Sequence, residues 1–160
     1  MGNYSKAKEE LNVVGIYLKK MDVPYDLIDM IDEEGEKSPA IVTTYQHKDY
    51  EFEVTIRHHG DWINVYCFIL DTSGLDNDVV RVLYKTCLEL NYLLPEVTFS
   101  AHKDDLYIEA DMLVGVPFKD FEAEFNSIAL GINQFVELLA PQGLLPDTWG
   151  RRRQEMPPSE

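Results

Sequence analysis

The stretch Leu75–Phe135 reads LDNDVVRVLYKTCLELNYLLPEVTFSAHKDDLYIEADMLVGVPFKDFEAEFNSIALGINQF. It decides the fold, because three patterns follow one another without ambiguity of period. Val79, Val80, Leu83, Cys87, Leu88 and Leu90 recur at helical spacing, with Arg81, Lys85 and Glu89 between them, so an amphipathic helix runs to about Asn91. Asp76 or Asn77 can cap it, and Pro95 forbids its continuation. Val97, Phe99 and Ala101 then alternate with Thr98, Ser100 and His102. After a turn near Lys103 to Asp105, Leu106, Ile108, Ala110 and Met112 alternate with Tyr107, Glu109 and Asp111, giving a β-hairpin. A second helix opens at Pro117. Its apolar seam, Phe118, Phe121, Phe125, Ile128, Ile132, Phe135 and Leu139, steps by three and four residues. The flanking positions lack regular opposite charges, so a helix lying on a sheet is expected rather than a coiled coil.

Outward from this unit, Tyr4 to Met21 carries Ala7, Leu11, Val14, Tyr17 or Leu18, and Met21 at helical spacing and predicts a first amphipathic helix. Gly15 within it either offers room for a close neighbour or is a tolerated glycine with no packing role. Asp22 to Lys37 holds seven acidic residues against one Lys. Such a run reads as a solvated connection or as a docking segment for a basic partner. Leu27, Ile28 and Ile31 fit either one helical turn or a first short strand. Three strands follow, Ala40 to His47, Tyr50 to Arg57 and Trp62 to Leu70, the last two joined by a turn at His58 to Asp61. The second has one wet face. In the third, Ile63, Val65, Cys67 and Ile69 face one way while Trp62, Tyr66, Phe68 and Leu70 face the other, so both faces are apolar. Large apolar groups on a second face mark a covering helix, a second subunit or a bound segment.

The predicted class is α+β, in the order α-β-β-β-α-β-β-α, with an antiparallel sheet of five strands and flanking helices. Residues 1–140 form a single domain. Residues 141–160 form a tail containing Pro141, Pro146 and three of the chain's five arginines, Arg151, Arg152 and Arg153.

A formal charge of −15 argues against nucleic acid or an anionic membrane as partner, since both require clustered Lys and Arg. No signal-like or membrane-length apolar run occurs, so a cytoplasmic protein is expected. Cys67 and Cys87 have no metal-knuckle spacing and read as buried small hydrophobes. His47, His58, His59 and His102 fall at strand ends and turns, and a meeting of His47 with His59 and an acidic residue across the hairpin would form a weak surface metal site. Phosphate-loop, dinucleotide, zincin and nucleophile-elbow motifs are missing. No catalytic residue, metal ligand or cofactor is therefore assigned.

The element order, together with Leu90-Asn91-Tyr92, Val97-Thr98-Phe99, Lys103-Asp104-Asp105 and Leu106-Tyr107-Ile108, resembles the type III secretion chaperone-like superfamily, in its YbjN-like branch of bacterial sensory transduction regulators. The resemblance covers about Tyr4 to Ala140. It implies a stable homodimer built around the middle helix and sheet, and no catalysis. It also suggests a client protein or peptide held on apolar patches. On this reading Trp62, Tyr66, Phe68, Leu70, Val79, Leu83, Cys87 and Leu90 are the candidate partner or dimer interface. The competing expectation is a small-ligand sensor or regulator with a pocket between helix and sheet, lined by Tyr45, Tyr66, Tyr107 and Trp62.

Overall fold

The structure, a computed structural model, describes residues 2–32, 35–48 and 50–144. Arg151, Arg152 and Arg153 of the predicted tail, and Glu33 and Glu34 of the acidic run, lie outside the described residues. Three helices and six strands alternate as α1 (Gly2–Lys20), β1 (Asp26–Ile31), β2 (Lys37–His47), β3 (Tyr50–His59), β4 (Trp62–Asp71), α2 (Asn77–Leu93), β5 (Thr98–His102), β6 (Asp105–Leu113) and α3 (Phe118–Leu139), with a short 3₁₀ turn (Ala140–Gln142) after α3.

The sheet is antiparallel in the order β1-β2-β3-β4-β6-β5. It therefore has six strands rather than the expected five. The added strand is β1, formed from Leu27, Ile28 and Ile31 within the acidic run, and it pairs along β2 from Asp26 opposite Val42 to Ile31 opposite Lys37. Its alternation is obscured because aspartates occupy both faces of an edge strand, where charge also discourages pairing with other chains.

All three helices cover one face. Leu11, Val14 and Leu18 of α1, Leu83, Cys87 and Leu90 of α2, and Phe121, Ile128, Ile132 and Phe135 of α3 meet Ile41, Phe52, Val54, Ile56, Val65, Cys67 and Ile108 in one continuous core. The α3 seam is thus spent against the core, as the lack of regular opposite charges on its flanks predicts. Gly15 sits against the Tyr25 ring, which occupies the space a Cβ would take.

Local signals account for the ends. Asp76 caps α2, its side chain accepting from the Asp78 N–H at 2.8 Å. Asn91, in the last turn of α2, receives the Phe99 N–H at 2.6 Å and donates to the Phe99 carbonyl at 3.1 Å. One amide side chain thereby satisfies both backbone groups of an edge-strand residue and ties β5 to α2.

Candidate functional site

The helices leave the opposite face of the sheet uncovered. Register puts Thr55 and Arg57 of β3, Asn64 and Tyr66 of β4, and Asp111 and Glu109 of β6 in neighbouring rows on that face. Phe68 stands opposite Tyr107 one row further on. The Tyr107 ring meets Phe68 edge-on at 5.7 Å between centroids and Tyr66 at 6.2 Å, a geometry that aromatic quadrupoles favour. Trp62 and Leu113 pair across strands at the other end of β4, 47% and 52% exposed. Between the two apolar patches Asn64 donates a hydrogen bond to Asp111. The uncovered face is therefore an aromatic and aliphatic surface with a polar middle.

Leu70 does not share that face. A β-bulge between Phe68 and Leu70 inserts one residue into β4, so that Leu70 stands opposite Leu106 and is buried beside Ile69. The strict alternation read from sequence holds from Trp62 to Phe68 and reverses there.

A second apolar surface lies on α2. Leu83, Cys87 and Leu90 turn into the core, and Val79 packs partly against it, so these four expected interface residues serve the protomer interior. The outward ridge instead carries Leu88, Tyr92 and Leu93, exposed by 71%, 88% and 64%. Leu88 and Tyr92 are four residues apart and so lie on the same helical face. Lys85 and Glu89 flank them and pair with each other at 3.7 Å. With Leu113, this ridge is what sequence reasoning left out. The signal was present in the spacing of Leu88 and Tyr92, but a stripe as broad as that of α2 does not say which edge remains wet.

The aromatic pocket expected between helix and sheet does not assemble. Tyr45 stands opposite Phe52 on the helix-covered face, where its hydroxyl donates to Asn133 at 2.9 Å, whereas Trp62, Tyr66 and Tyr107 are on the uncovered face. His47 and His59 sit at opposite ends of the β2–β3 hairpin and cannot share a ligand. Among the described residues no group of three or more His, Cys, Asp or Glu side chains is placed to hold a metal ion.

Both cysteines are free and buried. Burial pushes the Cys87 thiol up to about 12 and the Cys67 thiol higher still, with the Glu53 charge adding to the latter. Burial also raises the Glu124 carboxyl, with Glu96 and Asp120 nearby contributing in the same direction.

Solved structures with the same arrangement are similar over most of this chain. YbjN from E. coli, a proposed transcription regulator, matches with a TM-score of 0.56 at 13% identity, over 85% of this chain and 96% of its own. The chain has a YbjN-like fold. An uncharacterized protein from Methanothermobacter thermautotrophicus gives 0.56 at 11% identity, over 83% of this chain and 98% of its own. The ExsC–ExsE complex gives 0.52 at 14% identity, over 83% of this chain and 94% of the matched one. Neither a family model nor a curated protein matches the sequence. No helix among the described residues is long and apolar enough to cross a membrane.

Proposed function

We propose that this protein is a homodimeric, non-enzymatic, cytoplasmic chaperone-like or adaptor module that holds a partner polypeptide on apolar surface. The observation that carries the reading is the pair of uncovered apolar surfaces: the ridge of Leu88, Tyr92 and Leu93, and the sheet face bearing Trp62, Tyr66, Phe68, Tyr107 and Leu113. Exposed apolar groups clustered on defined elements are the usual mark of protein contact.

The two surfaces suit different occupants. The α2 ridge carries one Lys and one Glu beside its apolar residues. Two copies related by a two-fold axis can exchange Lys85–Glu89 partners while burying Leu88 and Tyr92, the self-complementarity an isologous contact requires. The sheet face has aromatic rings interleaved with Asn64, Glu109 and Asp111, a mixture that fits a polypeptide with alternating apolar and polar or basic side chains. The fold it shares with one chain of the ExsC–ExsE complex supports this assignment.

Size exclusion with light scattering, on wild type and Leu88→Asp, tests the dimer. The partner surface is tested by pull-down with Trp62→Asp and Phe68→Asp as controls. A specifically retained polypeptide that both substitutions release is expected; retention of none, or release by neither, counts against the reading.

A further inference from the structure

The two edges of the sheet are finished differently. At β5, Asn91 closes the outer backbone groups of Phe99, so that edge has little left to offer another strand. β1 forms the other edge and pairs with β2 alone. Antiparallel ladders alternate bonded and unbonded pairs. Asp32 donates to the Glu36 carbonyl at 3.1 Å, one step past Ile31 opposite Lys37, so the bonded residues of β1 are Asp26, Ile28 and Met30. Pro39, which has no N–H, fits this phase, since it stands opposite Asp29 in an unbonded pair. The backbone N–H and C=O groups of Leu27, Asp29 and Ile31 therefore point out from the sheet, and none of these groups makes a hydrogen bond among the described residues.

The side chains of β1 suit a neighbouring strand. Leu27, Ile28 and Ile31 are exposed. Leu27 stands opposite the core residue Ile41 and so shares the helix-covered face with Ile31, while Ile28, opposite Ala40, is on the other face. Asp26, Asp29 and Asp32 recur at every third residue, which puts carboxylates on both faces, and no basic residue occurs from Asp22 to Glu36. Neither Asp26 nor Asp29 forms an ion pair among the described residues, and Asp29 instead accepts from the Tyr4 hydroxyl of α1 at 2.6 Å.

We infer that the open edge of β1 receives an extended polypeptide segment, with Lys or Arg at every third residue among apolar ones, as a seventh strand of the sheet. Main-chain hydrogen bonds to Leu27, Asp29 and Ile31 supply affinity, and side chains beside them supply selectivity. The segment's apolar residues cover Leu27, Ile28 and Ile31, and its cations stand opposite the aspartates. The aspartates disfavour a second copy of this chain, whose charge is also −15, so they block self-pairing while admitting a basic strand. β2 and β3 stand between β1 and the Trp62 and Phe68 patches of β4, so this edge is a site additional to the bare sheet face, and neither assignment depends on the other.

The test is an NMR titration of the full chain with the peptide Lys-Val-Thr-Lys-Val-Ile-Lys, reading amide shifts and hydrogen exchange. Saturable binding is expected, with exchange slowed at Leu27, Asp29 and Ile31. Ile28 and Met30, whose amides already bond to β2, and the residues of β5 are expected to change little. Replacing the three lysines of the peptide by glutamates is expected to abolish binding, and added salt to weaken it. N-methylating the peptide on alternate residues, those opposite Leu27, Asp29 and Ile31, is expected to weaken binding roughly tenfold or more. Leu27→Pro removes one outward N–H and no bond to β2, at a position where an edge strand tolerates proline, and is expected to weaken binding likewise. The methylated peptide decides the matter should that variant fail to fold. No saturable binding, equal binding of the glutamate peptide, or undiminished binding of the methylated peptide or by folded Leu27→Pro overturns the assignment. So do shifts centred on Trp62 and Phe68 with β1 unmoved. Slow exchange at Leu27, Asp29 and Ile31 in the free chain would mean an edge already filled by the chain itself or by a second copy, and overturns it as well.

Discussion

Asn91 shows how much a single polar side chain does in this fold. Its amide satisfies both backbone groups of Phe99 at the outer edge of the sheet, where no further strand could do so. Asn91→Ala should leave those two groups without their partner and cost on the order of 2 kcal/mol in urea unfolding, with faster amide exchange at Phe99. Asn91→Asp keeps only the acceptor and should recover part of the loss. The two thiols predict a pH dependence. Because burial raises both, each stays neutral in the fold while the unfolded chain ionises near the ordinary thiol value. Their contribution is complete below that value and is lost as pH rises, for Cys87 up to about 12. The limiting slope is about 1.4 kcal/mol per pH unit per thiol. Comparing wild type with Cys87→Ala by urea unfolding at pH 8 and pH 10 should show a smaller alkaline loss in the variant. At this scale the sequence was legible where local rules act. Asp76 is a cap by type and position. Leu70 was not legible, because a bulge is set by pairing with β6 and not by the strand's own pattern.

At the scale of elements, α2 separates two roles that its sequence blends. Leu83 is fully buried, so Leu83→Ala should cost about 2–5 kcal/mol in chemical denaturation. Leu88→Ala, on the wet side, should change the stability of the isolated protomer by no more than about 0.5 kcal/mol. The helices and five of the six strands follow from their own sequence, four by alternation and β2 by its β-branched and aromatic content. β1 escaped commitment because Asp26, Asp29 and Asp32 interrupt its short apolar set, and an edge strand has only one neighbour to betray it. The division of α2 into an inner and an outer apolar edge depends on where α3 and β5 stand, which no property of the helix itself encodes. Gly15 was legible only as an alternative between a close approach and a tolerated glycine, and the Tyr25 ring against it decides for the first.

For the whole molecule, architecture sets what is covered. Helices gathered on one face leave the other bare, and the bare face retains Trp62 and Leu113 at one end and Phe68 and Tyr107 at the other. The two-sided apolar character of β4, readable from sequence, finds its explanation here: one side is core and the other is surface. A protomer charge of −15 adds a condition on assembly. Two such bodies repel, so burial of Leu88, Tyr92 and Leu93 must overcome long-range repulsion that salt screens. Dimer dissociation constants should therefore fall as ionic strength rises from low salt to physiological salt, the reverse of an interface held by opposite charges. Sedimentation equilibrium at micromolar concentration tests the central claim most directly. The account predicts twice the protomer mass of 18.5 kDa for wild type, reduced to 18.5 kDa by Tyr92→Asp with the far-ultraviolet circular dichroism unchanged. A wild-type mass of 18.5 kDa throughout that range would contradict it.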